Sequence, residues 1–189
     1  MNRALAYLGL LALLGFVGGG CDARRSGVTT PPAERDDDGA LSTALLAALG
    51  QAKSYHHLAD VHLADGDTDA AAAALRQIFV IRFPAGAPEG EETLLDARAR
   101  LAKLELGRGR VDEARRVVDE GLAAPGRDSF FRANLYNVSG ELHEARAHAL
   151  EGTDAAGARA ERHAAIADYH HAIAIDERVQ NALDKEARP

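Results

Sequence analysis

Six positions of matching type recur at a constant offset of 43 residues: Leu58 with Leu101, Ala59 with Ala102, Gly66 with Gly109, Ala71 with Ala114, Leu75 with Val118 and Phe79 with Leu122. The unit that repeats is a helical hairpin. Its better-preserved copy is AKSYHHLADVHLADGDTDAAAAALRQIFVIRFP, Ala52 to Pro84. Leu58, Ala59 and His62 share one face of a first helix. Asp65-Gly66-Asp67 then breaks the pattern: Gly66 tolerates a positive φ, and Asp67 or Thr68 can cap the next helix. Ala71, Leu75, Ile78, Phe79 and Ile81 make the apolar stripe of a second helix, which Pro84 is expected to end. One hairpin cannot bury both of its apolar faces, so such units must stack on their neighbours. An Ala-rich chain with no Trp and few β-branched runs suits this all-α solution.

The first hairpin is predicted over about 41–84, as one helix or as two segments kinked at Gly50. The second runs over about 91–125, its helices at Glu91–Leu106 and Val111–Leu122. A looser third occupies about 129–175, with a first helix at Ser129–Leu150, an enlarged turn at Glu151–Gly157 and Ala165, Tyr169, Ala172, Ile173 and Ile175 on its second helix. Residues 176–188 read as a separate capping helix, with Val179 and Leu183 on one side.

Tyr55, Leu58, Ala59, His62, Gly66, Ala71, Leu75, Ile78 and Pro84 together resemble the tetratricopeptide repeat (TPR), with Leu101, Ala102, Gly109, Ala114 and Val118 kept in the second copy. The resemblance implies an α-solenoid of about three TPR-like hairpins. It also implies a concave groove lined by Lys53, His56, Asp60, Leu63 and Ala64, then by Asp96, Ala99, Lys103, Leu106 and Gly107. That mixed set suits a protein or peptide segment with both polar and apolar contacts. A second candidate surface is Phe130-Phe131 with Leu135 and Tyr136, which is expected to fill the core between the second and third units.

Ahead of this domain the chain changes character. A short polar start precedes the apolar run Ala4–Val17, which is short of the roughly 20 residues of a membrane span but suits a signal-peptide core. Gly18-Gly19-Gly20 then leads into Cys21, the single cysteine. The segment resembles a bacterial lipoprotein signal peptide. The resemblance implies cleavage after residue 20, lipidation of Cys21 and a lipid-anchored protein of the cell envelope. Residues 21–40 are too polar and too rich in Pro, Gly and Asp to bury apolar area, so they are expected to form a disordered tether to the folded part at 41–189.

Other chemistry finds little support. A net charge of -7 with scattered Arg leaves no basic stripe for nucleic acid. The eight histidines, His56, His57, His62, His143, His148, His163, His170 and His171, include no i, i+4 pair of the kind that holds zinc on a helix. No Gly-x-Ser-x-Gly, Ser-x-x-Lys or phosphate loop occurs. Paired carboxylates stand at helix starts, where they favour the dipole. The expectation is a non-catalytic scaffold without metal or cofactor, bound to the membrane through Cys21 and to a protein partner through its groove. The alternatives are a structural or self-associating solenoid with no open groove and, third, a histidine-based metal binder.

Overall fold

The computed structural model describes residues 42–187, and every regular element among them is a helix. The expectations for the signal peptide at 1–20, Cys21 and the tether fall outside the described residues. Six helices follow in order: α1 Thr43–Ala64, α2 Thr68–Ile78, α3 Pro88–Gly107, α4 Val111–Ala123, α5 Phe130–Leu150 and α6 Ala155–Glu186. None is long and apolar enough to cross a membrane.

Local chemistry explains where the helices begin. Ser42, Asp67, Ser129 and Asp154 each accept a hydrogen bond at their own helix start, from the N–H groups of Leu45, Ala70, Arg132 and Gly157. Each satisfies one of the free donors of a first turn. The α3 start lacks such a cap but has Pro88 in its first turn, where the missing N–H costs nothing, together with Glu89 and Glu91.

The turns of the first two hairpins share backbone hydrogen bonds at the 43-residue offset. The Asp67 N–H donates to the His62 carbonyl at 2.8 Å, and the Arg110 N–H to the Glu105 carbonyl at 2.9 Å. The Gly66 N–H donates to Leu63 at 3.1 Å, and the Gly109 N–H to Leu106 at 2.9 Å. Both glycines sit at positive φ, 78° and 73°, where a side chain would be strained. Ala59, Ala71, Ala102 and Ala114 are all fully buried, so the paired helices approach through small residues. One core unites α1 to α5, and Ala133, Ala172 and Ile175 form a smaller cluster between α5 and α6.

The first helix is unbroken through Gly50, the former of the two alternatives. Three boundaries differ from the sequence reading. The second helix stops at Ile78, well before Pro84, with i→i+3 bonds from Phe79, Val80 and Ile81 tightening its end. Three successive bulky or β-branched residues are poor helix formers, and the Phe79 ring is anchored by the Arg98 guanidinium 5.0 Å from its centroid. Ile81 therefore packs on the core from outside the helix. The third helix starts at Pro88, earlier than Glu91. Finally, 176–188 is not a separate cap. The helix α6 runs through Asp176 to Glu186, since no Gly or Pro follows Gly157 until the chain end.

The aromatic surface divides. Leu135 is fully buried, and Phe131 and Tyr136 are partly buried, but Phe130 is 64 % exposed. The matched pair Leu58 and Leu101 also diverges. Leu101 is 1 % exposed and Leu58 43 %. The reason is positional: α3 has a hairpin packed before it, whereas α1 is the first of the described helices.

Candidate ligand groove

The first helices of the three hairpins, α1, α3 and α5, border a hollow of about 440 Å³. The first helix brings Lys53, His56 and Asp60 to it at i, i+3 and i+7. The third contributes Glu92, Asp96 and Arg100 at i, i+4 and i+8, and α5 closes one end with Phe131. In both helices the spacing keeps these groups on one face.

Arg100 organises the polar floor. Its Nη2 donates to the Asp60 carboxylate, and its Nη1 lies 2.8 Å from His56 Nδ1. A guanidinium only donates, so Nδ1 must accept, and the neutral imidazole carries its proton on Nε2. Nε2 faces Asp96 Oδ2 at 3.6 Å. Burial, reinforced by the Arg100 charge and opposed by Asp96 and Asp60, holds the His56 pKa below its ordinary 6.5. The ring is therefore neutral at pH 7. Because the folded value is depressed, the unfolded chain binds more protons between the two values. The stability associated with neutral His56 is full above about pH 6.5 and is lost as pH falls through 6.5 toward the folded pKa. A His56→Gln variant is expected to flatten the melting temperature between pH 7 and pH 5 relative to the parent; an unchanged slope would remove His56 as its cause.

The sequence-predicted groove residues fall into two groups. Lys53, His56, Asp60 and Asp96 line the hollow together. The other six do not line it. Ala99 is 1 % exposed within the core, and Leu106 packs against the core. Leu63 is exposed on α1, and Lys103 reaches α5, with Nζ 2.8 Å from Glu141 Oε1. Ala64 and Gly107 are exposed at the ends of α1 and α3. Sequence reasoning missed Arg100, Glu92, Glu89, Thr93 and Phe131. The signal was available on α3, because Glu89, Thr93, Asp96, Arg100 and Lys103 recur at i+3 or i+4 as its polar stripe.

A second hollow of about 610 Å³ lies between the start of α5 and the end of α6, bordered by Phe130, Val179, Leu183, Arg127 and Arg178. Glu92 and Phe131 border both hollows. Of the other histidines, His171 stacks on Tyr136 at 5.3 Å, and His143 joins α4 to α6. His143 Nδ1 lies 2.5 Å from Glu161 Oε2, and Arg115 Nη2 lies 3.2 Å from the same nitrogen. The hydrogen bond to His143 holds the Glu161 carboxyl below its usual range. Among the described residues, no group of three His, Cys, Asp or Glu side chains is arranged to hold a metal ion.

Compared with known proteins, the chain shows no significant match to a family model, a curated protein or a solved structure, and what the groove does is read from its own residues.

Proposed function

We propose that this chain is a non-catalytic scaffold of the cell envelope, tethered to the membrane through lipidated Cys21, whose TPR-like hairpins bind a protein segment in the groove between α1 and α3. The observation that carries the reading is the convergence of polar groups from separate hairpins on one hollow that also has apolar walls at Leu49, Ala52 and Phe131. The shared turn hydrogen bonds and positive-φ glycines at the 43-residue offset support the TPR-like reading. The unbroken course of α1 from Thr43 to Ala64 supports an open groove, since no break at Gly50 turns its first segment back.

The groove also indicates the chemistry of the segment. Asp60, Glu89, Glu92 and Asp96 face it against Lys53 and Arg100, and His56 is neutral. Acids outnumber bases, so a segment bearing Lys or Arg beside an apolar residue is complementary. A photo-crosslinking residue placed at Thr93, on the groove, is expected to capture a partner in native envelopes that the same residue at Gln77, exposed on α2, does not. Asp96→Asn should weaken that capture, and Cys21→Ser should move the chain into the soluble fraction. Identical adducts from Thr93 and Gln77 would defeat the groove reading, and membrane retention of the Cys21→Ser chain would defeat the anchor.

A second reading has one observation in its favour. Arg100 spans from α3 to Asp60 and His56 on α1, and so ties hairpin to hairpin. If Arg100→Ala lowers the melting temperature while capture at Thr93 never occurs, the cluster is a structural clasp in a closed solenoid.

A further inference from the structure

The outer face of α1 is built like a packed face, but among the described residues no helix packs on it. Counting on by the repeat offset of 43, Ala47, Ser54, Leu58 and Val61 correspond to Gly90, Ala97, Leu101 and Leu104 of α3. In α3 the first three of these are buried, and Leu104 is partly buried against the core. In α1 all four are exposed, with Leu58 at 43 % and Val61 at 58 %. The charges confirm the asymmetry. The only Lys, Arg, Asp or Glu residues on α1 are Lys53 and Asp60, and both border the groove, leaving the outer face uncharged. A helix apolar on both sides normally lies buried between neighbours.

The spacing on that face is a palindrome. Ala47, Gly50, Ser54, Leu58 and Val61 follow one another at steps of 3, 4, 4 and 3 residues. An antiparallel copy of the same helix, centred on Ser54, sets Leu58 over the partner's Gly50 and Val61 over the partner's Ala47. Each large residue then meets a small one, on both sides of a two-fold axis. Self-complementarity of this kind is what an isologous interface requires and what an unrelated partner does not. Gly50 leaves room for the Leu: a Cβ built on it meets nothing within 4 Å. A lipid surface is disfavoured as the occupant, because an interfacial helix carries Lys and Arg along its polar flank, and α1 has one Lys.

We infer that α1 is the interface of a symmetric dimer, in which two copies of this chain pair antiparallel through the Ala47–Val61 face with Ser54 at the two-fold axis. The groove lies on a different face of α1, so the inference does not depend on the proposed partner segment.

The full chain, carrying Cys21→Ser and kept in mild detergent, tests it. Sedimentation should give twice the 20.0 kDa chain mass at micromolar concentration. Adding Ser54→Cys should let a short bismaleimide link two chains, whereas Glu177→Cys, exposed on α6, should not. Gly50→Glu is the decisive variant. It fills open space in the single chain and replaces a poor helix former, so it should keep the helical content and, at dilutions where the parent is also monomeric, the melting temperature, while abolishing the dimer, the cross-link and the rise of the parent's melting temperature with concentration. A dimer that survives Gly50→Glu overturns the inference. So does a chain that stays monomeric at all concentrations yet melts lower with Gly50→Glu, which would mean that its own N-terminal residues cover the face.

Discussion

Replacing Glu105 with Ala is expected to cost about 3 kcal/mol of stability, the low end of the ~3–5 kcal/mol for removing one partner of a buried ion pair. The carboxylate is fully buried where α3 meets both its own turn and the preceding hairpin. Its Oε1 accepts from Arg76 at 2.7 Å, and its Oε2 is faced by Arg108 at 3.3 Å and Arg110 at 3.6 Å. Removing it leaves three guanidinium groups around a void. The low end applies because Arg76 and Arg110 keep 39 % and 52 % of their side chains in solvent, and because Asp69 and Glu113 remain as partners. Urea denaturation measures the loss. Glu105→Gln, which keeps the volume and one acceptor, should fall between parent and Ala. A cost below about 1 kcal/mol for Glu105→Ala would show that the cluster behaves as an exposed salt bridge.

The second large effect lies where α4 crosses α5. Leu135 is fully buried, and Leu135→Ala should cost ~2–5 kcal/mol, the range for deleting a core leucine. Across from it, a Cβ on Gly121 would sit 2.5 Å from Leu135 Cδ2 and 2.7 Å from Arg98 Cδ. Gly121→Ala should therefore cost ~1–3 kcal/mol of overpacking, reduced by about 0.5–1 kcal/mol because the glycine lies in a helix. The two changes share one space. Combined, they should cost less than their sum by at least ~0.5 kcal/mol, since the new methyl enters the cavity left by the old side chain. Strict additivity in a double-mutant cycle would mean that Gly121 tolerates Ala by moving Arg98 alone.

The hairpins were legible because their determinants are local. A glycine at positive φ, a capping Asp and alanines at the helix crossings each act within a few residues, and the recurrence of the glycine and the alanines at the 43-residue offset marks the register. The end of α2 was not legible from Pro84, because a proline shows where a helix cannot continue and not where it stops. Ile78 is the last residue because Phe79 turns toward Arg98, a contact formed with another hairpin. The continuity of α6 was obscured by the fading of its apolar stripe beyond Ile175, although nothing in its sequence breaks a helix. For the groove, the face of α1 was read in the right register, whereas the α3 set drifted from Asp96 to Ala99, a core position. Arg100, one residue further on, is the group that ties the two helices together. Leu58 shows the remaining limit. Its type matches Leu101, but whether a repeat position is covered depends on what stands before it in the stack.

If the proposed partner segment crosses from one hollow to the other, Glu92 and Phe131, which border both, would act as a ruler. A strand advances about 3.3 Å per residue, so a segment laid across both hollows must space its contacts to the geometry of that divide. The aromatic ring would then meter the distance between a basic residue held over Asp96 and an apolar one resting near Phe130. Specificity in such an arrangement resides in the interval between two anchors as much as in either anchor itself.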